Sequence, residues 1–450
     1  MAFWDEDAIT MAVEAARDLF ANTRLGRETI DRFAFASTTP PFSERSNATI
    51  AHRALQLAAD CQAVDVAASR RCAVDELHQA LVTGSRTLIA AAHRPAAKIA
   101  SLGELRYSDG GAAVAVGSDT SSLLAVYLGG ASRNYDFVDS FRTAQDRFQH
   151  DWEERWVREE GYLKIVPEAV NIALQDAGLN AADIDHFILP CPIPRVASAV
   201  ASASGVSPER LTNDLMENCG IVGPAHSLLM LMVALERARC GEKLLVAEFG
   251  QGCTALVLQA VEASGRGNVD AVSRQLNRGV PNEDYFKLLV FNDLVPWDRG
   301  MRAEQIAKTA LTVAYRNSEA LLGFIGARDP QTGAVQFPPT RIAIGPDGDA
   351  LRASEPYPLS DLGGTVASRT ADALAFSVHP PSCYGLIDIN GGGRLMMDFT
   401  DIDASALREG DAVSFTFRIK DIDVRGGSTR YFWKAVATSD VENDRRGRTN

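Results

Sequence analysis

Apolar residues recur at helical spacing between positions 5 and 20, at Ile9, Ala12, Val13, Ala16, Leu19 and Phe20. They sit behind acidic residues that suit the positive end of a helix dipole, and the pattern predicts an amphipathic helix. The short continuous run at 33–36 reads as a buried strand, followed by a Thr/Pro/Ser loop and a helix near 48–60. A helix near 72–83 leads into a strand at 87–91, and strands are expected at 111–117 and 122–128. A similar order then returns: helix 162–177, strand 186–189, helices near 194–204 and 224–239, and strands 243–249 and 254–260. Helices alternating with short, wholly apolar strands predict an α/β fold, layered, with buried sheets. The two comparable halves suggest an internal duplication, although no residue-level repeat is visible.

Composition shifts to Gly, Ser, Arg and Asn around 262–285, which marks a linker. A helix near 302–318 follows. Beyond about 357 the rhythm becomes short strands between turn residues, at 363–366, 374–378, 384–389, 394–399 and 412–417, and predicts a small C-terminal β-barrel. The last dozen residues, rich in Asp and Arg, read as a frayed tail. The expected division is therefore an α/β domain over 1–265, a linker over 266–300, an intermediate region over 301–345, a barrel over 346–438 and a tail over 439–450.

The chain has 450 residues, enough for two or three cores, with 46% hydrophobic and 23% charged residues. Its 45 basic and 58 acidic residues leave a net charge of −13, which disfavours a broad electrostatic hold on nucleic acid or on an anionic membrane. A local basic pocket for a phosphorylated ligand is compatible with that balance. Seven cysteines stand singly with no CxxC pair, so neither a disulfide framework nor a zinc site is suggested. The start lacks a basic and then apolar leader, and no apolar run reaches the roughly 18 residues of a membrane span. A reduced, cytoplasmic protein is the expectation.

Several segments in fixed order carry a resemblance. They are Glu6-Asp7-Ala8-Ile9-Thr10-Met11-Ala12-Val13-Glu14-Ala15-Ala16-Arg17, Ala48-Thr49-Ile50-Ala51, Asp65-Val66-Ala67-Ala68-Ser69-Arg70-Arg71-Cys72, Tyr107-Ser108-Asp109-Gly110-Gly111-Ala112-Ala113, Phe187-Ile188-Leu189-Pro190 and Ala247-Glu248-Phe249-Gly250-Gln251-Gly252. Residues 5–260 resemble the hydroxymethylglutaryl-CoA synthase branch of the thiolase superfamily, a ketoacyl synthase III-like domain. Residues from about 285 to 437 are similar to the OB-fold domain that accompanies thiolases, on the strength of Gly364-Thr365-Val366-Ala367-Ser368, of 378–388 around His379-Pro380-Pro381-Ser382-Cys383, and of Leu407-Arg408-Glu409-Gly410-Asp411. The resemblance implies a thiolase-like fold with two related halves, fused to an OB-fold barrel. Coenzyme A thioester is the implied ligand, and no tightly bound cofactor is expected.

Three departures from the family pattern shape the functional reading. Laid on the family pattern, the cysteine nucleophile falls at Arg70, the histidine at Pro190 and the asparagine at Ile221, although a short insertion after Asn218 would restore the asparagine. The family's opening strand is missing before Glu6. The ribbon that often precedes the OB-fold keeps its flanks at 321–326 and 337–341 but not its cysteines; zinc needs about four thiolate or imidazole ligands, so no metal is expected.

Claisen-type acyl transfer requires a thiolate, a proton carrier and donors for the oxyanion. A guanidinium stays protonated and cannot serve as the nucleophile. Cys72 offers a displaced thiol at a helix start, where the dipole and Arg70 and Arg71 would lower its pKa; buried cysteine is also a common small hydrophobe. His226, near the asparagine position, is either a donor in the same cleft or a helix-start residue. His186 reads as a strand-edge residue and His379 as structural. Arg70 and Arg71 either bind a carboxylate or phosphate or fill the vacated pocket through inward salt bridges. Gly250 and Gly252 resemble the family's late Gly-rich loop, where the backbone nears the acyl group, and equally suit a plain turn. Phe415, Phe417, Tyr431, Phe432 and Trp433 could stack bases, but the chain is acidic; the resemblance, which places this barrel beside acyl-CoA enzymes, implies a docking or substrate-covering module. The expected function is a catalytically degenerate synthase-like subunit that assembles with a thiolase-type protein, and as a homodimer. The alternatives are an active acyltransferase using Cys72 or His226, and a scaffold without ligand.

Overall fold

The computed structural model describes residues 1–118, 123–261, 271–277, 282–301, 310–343, 352–402, 406–423 and 427–438. The chain divides into two units, one of residues 1–2, 7–52 and 57–284, the other of 3–6, 53–56 and 285–450. The expected tail at 439–450 lies outside the described residues, as do 302–309 of the expected helix and 266–270 and 278–281 of the expected linker. Within that linker span, Ala271–Leu276 and Tyr285–Phe291 are helical.

In the first unit β1 (Arg32–Ala36) lies between β2 (Gln62–Val66) and β3 (Thr87–His93), parallel to both, and β4 (Gly110–Val116) returns antiparallel on β3. Next come β5 (Ala125–Asn134) and a small hairpin of β6 (Ser140–Phe141) and β7 (His150–Asp151). A second sheet runs β5-β10-β9-β8, in which β8 (His186–Ile188) is parallel to β9 (Lys243–Phe249) and β10 (Gly252–Ala260) is antiparallel to β9 and β5. Both sheets mix parallel and antiparallel pairs, the first with two parallel ladders and one antiparallel, the second with one parallel and two antiparallel.

The helices that matter are α1 (Ala8–Asn22), α2 (Asn47–Ala54), α3 (Cys72–Thr83), α4 (Val166–Asp176), α5 (Val196–Ala203) and α6 (His226–Arg237). One core cluster joins Ala73 and Leu77 of α3, Leu228 and Leu231 of α6, Ile89 of β3 and Leu256 of β10. Strand β9 shows why the sheets must be covered on both faces. Its Leu244 and Val246 enter that cluster, while Leu245, Ala247 and Phe249 enter another with Val166, Ala169 and Val170 of α4. Successive side chains of a strand point to opposite faces, so an unbroken apolar strand needs helices on each side. Each large apolar side chain buried this way contributes about 1.5–3 kcal/mol.

Two local expectations are corrected. Helix α1 starts at Ala8, not Asp5. Asp7 is its N-cap, accepting from the Thr10 amide at 2.9 Å while the Thr10 hydroxyl accepts from the Asp7 amide at 2.8 Å. Strand β2 was not anticipated, because its five residues alternate weakly and form the edge of the sheet. Backbone pairing with β1 determines its conformation.

In the second unit β11 (Ile325–Arg328) pairs with β12 (Val335–Gln336); β13 (Ile342–Ala343) pairs with β14 (Arg352–Ala353), and β15 (Glu355–Pro358) adds to β11. The main sheet comprises β16 (Gly364–Asp372), β17 (Ser382–Ile389), β18 (Arg394–Asp398), β19 (Ala412–Asp423) and β20 (Ser428–Ala437), in the order β18-β17-β16-β19-β20. All its ladders are antiparallel. No strand forms at 374–378, and β20 takes the fifth place instead. The outer strands are joined only by the bridge of Phe399 to Ala435. A single bridge is not a ladder, so the described residues form an antiparallel sheet in which no closed barrel is found. Phe415, Phe417, Tyr431 and Trp433 are buried. Trp433 stacks on Phe324 at 5.8 Å and donates to the Leu322 carbonyl at 2.8 Å, so these rings are core rather than a platform for bases. No helix among the described residues is long and apolar enough to cross a membrane.

Candidate functional site

The carboxyl ends of the parallel strands β1, β2 and β3 open on one cavity of about 470 Å³. This is where α/β sheets place their ligands, since chain reversals there leave loops free to shape a pocket. Thr38 and Thr39 follow β1, Ala67 to Arg70 follow β2, and His93 and Arg94 close β3. Ser140 and Phe141 of β6 and Gly250 and Gln251 of the β9–β10 turn complete the walls.

The loop between β2 and α3 is held from several directions. Asp65, near the end of β2, accepts from the Asn47 and Ala48 amides at 3.0 and 2.8 Å, tying β2 to the start of α2. Ala68 turns the chain at a φ of 76°, a left-handed conformation that costs a residue with a Cβ about 1 kcal/mol or more. Directly after it, Ser69 donates from its hydroxyl to the Gly250 carbonyl at 2.9 Å, fastening the turn to the neighbouring loop.

Arg70 lines the cavity and forms an ion pair with the buried carboxylate of Asp139, just before β6. Burial opposes the charge of Arg70, and Asp139 more than restores it, so the group is held cationic. Beside it His93 accepts or donates through Nδ1 to the Thr38 hydroxyl at 3.2 Å. Burial, then the positive charges of Arg70 and Arg142, push the His93 pKa down to about 3, so the ring is neutral. Gly223 makes this packing possible: at a φ of 47° it lies so close that a Cβ would stand 2.5 Å from the His93 ring. Arg94, Arg142 and Arg147 also line the cavity, and Arg142 donates to the Thr38 carbonyl at 2.9 Å.

Other residues singled out in the sequence lie elsewhere. Arg71 turns away from the cavity and donates to Ser132 and Thr254, each at 3.1 Å, and to Asn134, staking the start of α3 to β5 and β10. Cys72 is 2% exposed within the core cluster, and burial, assisted by Asp75, pushes its thiol well above the usual range. His226 is engaged at both nitrogens, accepting at Nδ1 from the Val222 amide at 3.3 Å and, with its proton therefore on Nε2, donating to the Asp214 carbonyl at 2.7 Å. Its pKa is lowered by burial. Pro190 accepts at its carbonyl from the Tyr162 hydroxyl at 3.4 Å, and Ile221 is a buried residue bridged to Tyr107. Gly250 lines the cavity, whereas Gly252 does not. At a φ of 121°, with a Cβ position 2.1 Å from the Arg133 carbonyl, Gly252 serves the turn into β10. His186 meets Glu242 at 2.9 Å, and His379 packs edge-on against Phe3 at 5.1 Å.

His93, Asp139, Arg94, Arg142 and Arg147 were not singled out by sequence reasoning. A signal existed for two of them: His93 and Arg94 end an otherwise wholly apolar strand, an abrupt polar pair where such strands deliver functional groups. Asp139 and the later arginines lie in irregular chain whose route only the fold reveals.

With the geometry in place, the class of fold can be stated: it is the mixed α/β thiolase-like fold. A crystal structure of HMG-CoA synthase complexed with CoA superposes with a TM-score of 0.55 at 18% identity, covering 64% of this chain and 79% of that one. The β-ketoacyl-[acyl carrier protein] synthase III of Thermus thermophilus superposes with a TM-score of 0.51 at 18% identity, over 58% of this chain and 86% of that one. More particularly, residues 174–260 match the family model described as 3-oxoacyl-[acyl-carrier-protein (ACP)] synthase III C terminal. In sequence the chain is similar to the hydroxymethylglutaryl-CoA synthase of Thermococcus sibiricus, 26% identical over 256 residues that cover 55% of this chain and 72% of that protein. The enzyme of the same name from Aeropyrum pernix is 27% identical over 270 residues, 57% of this chain and 74% of that protein.

Proposed function

We propose that this chain is a hydroxymethylglutaryl-CoA synthase-like subunit that binds a coenzyme A thioester without capturing the acyl group on cysteine. The observation that carries this reading is the cavity itself: Arg70, ion-paired to Asp139, stands where the family resemblance sets the nucleophile, and no cysteine is among the described lining residues. Acyl capture needs an accessible thiolate. Cys72 is buried with its thiol pushed up, and His226 spends both nitrogens on the backbone, so neither observation favours the reading in which they perform the transfer. The likeness to a synthase crystallised with CoA supports the choice of ligand.

In this reading the thiol chemistry belongs to a separate thiolase-type protein, and the subunit also pairs with a second copy of itself. The five-stranded sheet of the second unit is an OB-type docking module, a role supported by the sequence resemblance of 285–437. Seven cysteines, none joined in a disulfide, suit a reducing cytoplasm. The direct test is intact-mass measurement after incubation with acyl-CoA donors, alongside thermal shift with CoA. The expected result is a raised melting temperature and no acyl adduct. An adduct that disappears in Cys72→Ser would replace this reading with an active acyltransferase.

A further inference from the structure

One wall of the cavity is built from chain that the core does not hold. Asp139 and Val157 are buried and nothing between them is, yet Ser140, Phe141, Arg142, Arg147 and Gln149 of that stretch all line the cavity. The stretch is nonetheless coherent in itself. Ser140 pairs with Asp151 and Phe141 with His150 between β6 and β7, the Phe141 and His150 rings stack at 5.0 Å, and Asp146 accepts from the Thr143 amide and hydroxyl at 3.1 and 2.7 Å. The Trp152 amide closes its base by donating to the Asp139 carbonyl at 3.0 Å. Polar bonds near the surface fasten it to its surroundings: exposed Arg142 donates to the Thr38 carbonyl at 2.9 Å, and the Tyr107 hydroxyl donates to exposed Asp151, 2.9 and 3.0 Å from its two oxygens. Gln149 donates to the same hydroxyl at 3.1 Å. Such bonds give way to water at little net cost, and a segment that buries no apolar residue belongs to the least stable part of a fold.

Resting on the reading that the cavity takes a coenzyme A thioester, we propose that the hairpin of residues 140–151 is a flap that opens as a unit to admit the ligand and shuts over it, latched by Tyr107 on Asp151 and by Arg142 on the Thr38 carbonyl. Its two ends stay fixed. Asp139 is held by the ion pair with Arg70, and Val157 packs in the core cluster that contains Val166 and Val170. Two of the four arginines among the described lining residues, Arg142 and Arg147, travel with the flap, so the cationic wall is complete only when the flap is down. An anionic ligand therefore binds the closed state more tightly than the open one, and that difference in affinity is what shuts the flap. Arg70, on the loop before α3, does not move with it.

Hydrogen–deuterium exchange of the full chain, with and without CoA, tests this together with stopped-flow association of CoA read from the exposed Trp152 and Trp156 beside the hairpin. With CoA at about ten times its Kd, exchange across 140–151 should slow about tenfold, while β3 and β9 change far less. Tyr107→Phe removes one latch. It should speed ligand-free exchange across 140–151 about threefold, as the loss of one exposed hydrogen bond allows, leave β3 and β9 as they were, and raise the association rate of CoA by a similar factor. Because Tyr107 also bridges to Ile221, Asp151→Ala is the second variant, with the same expected changes and the fold checked by circular dichroism. Bound CoA that leaves exchange at 140–151 unaltered, or slows β3 and β9 equally, overturns the flap and leaves the thioester reading standing. So do latch variants that exchange and associate as the wild type does. If CoA neither slows exchange anywhere nor raises the melting temperature, the thioester reading falls, and the flap stands or falls on the ligand-free comparison of wild type with the two latch variants.

Discussion

Two places in the molecule hold arginine and aspartate out of water, and they differ in how their charges are matched. Around Asp5, in the second unit, Lys434 approaches to 2.7 Å, the Thr400 hydroxyl donates at 3.0 Å, and Arg418 meets Asp401 at 2.6 Å and Glu6 at 3.2 Å. Three acids face two bases, and Lys434 also lies over the Trp4 ring at 4.4 Å. Burial pushes the Glu6 pKa up against the pull of Arg418, which brings the network closer to neutrality. In the cavity of the first unit, four arginines face one aspartate. Matched buried charge fastens structure; an excess of one sign lining an open volume sets the potential met by whatever enters it.

The largest effect should come from breaking the matched network. Asp5→Ala leaves Lys434 and Arg418 without their central partner, and removing one member of a buried pair typically costs about 3–5 kcal/mol. Denaturant unfolding should show a loss of that size, with binding of thioesters by the remaining folded protein unchanged. A loss below about 1 kcal/mol would place Asp5 with the solvent-screened surface pairs and dissolve the contrast drawn above.

The cavity should announce itself in the pH dependence of stability. His93 has a folded pKa near 3 against an unfolded value near 6.5, so between those values the unfolded chain binds a proton that the folded chain refuses. Stability therefore falls as pH drops through this window, by up to about 1.4 kcal/mol per pH unit. The difference in slope between wild type and His93→Gln isolates this contribution. Parallel curves would mean that the ring is not held neutral by its burial and the nearby Arg70 and Arg142. Glu6 acts in the opposite sense: its raised pKa makes the folded state the better proton binder, so its contribution is lost as pH rises above the ordinary carboxylate range.

Gly223→Ala should follow, at about 1–2 kcal/mol. It adds a Cβ at a φ of 47° against the His93 ring, and combines backbone strain with a forced shift of the histidine. Thermal unfolding together with CoA titration checks it: a stability loss accompanied by weaker CoA binding ties His93 to the site. An undisturbed titration would confine His93 to packing.

Most of the layered core was legible in the sequence because both-face burial writes itself as unbroken apolar runs. The runs at 87–91, 243–249 and 254–260 are strands β3, β9 and β10. Elements set by partners were not legible. Strand β2 exists because β1 offers it an edge, and the acidic residues at 5 and 6, read as helix-dipole partners, answer to Lys434 and Arg418 more than four hundred residues away in the chain. The site divided in the same manner. Arg70 was found from its local pattern, whereas Asp139, which fixes its geometry, comes from a loop with no periodicity to read.

Arg70 and Cys72 are two positions apart and give the finest form of the comparison. The first lines the cavity, and the second packs with Ala73, Val74 and Leu77 in the core. Two residues at the mouth of a helix rotate the side chain by more than half a turn, so proximity in sequence puts them on opposite faces. Cys72→Ala removes one buried sulfur of roughly methylene size and should cost only about 1 kcal/mol, with the affinity for every thioester unchanged. Alkylation should agree: exposed Cys240 should react with iodoacetamide in the folded protein, and Cys72 only after unfolding, since its thiol is buried and pushed up in pKa. If Cys72 instead labels in the folded state, and acyl-CoA protects it, the sulfur reaches the cavity after all, and Arg70 would be a neighbour of the reacting group rather than its replacement.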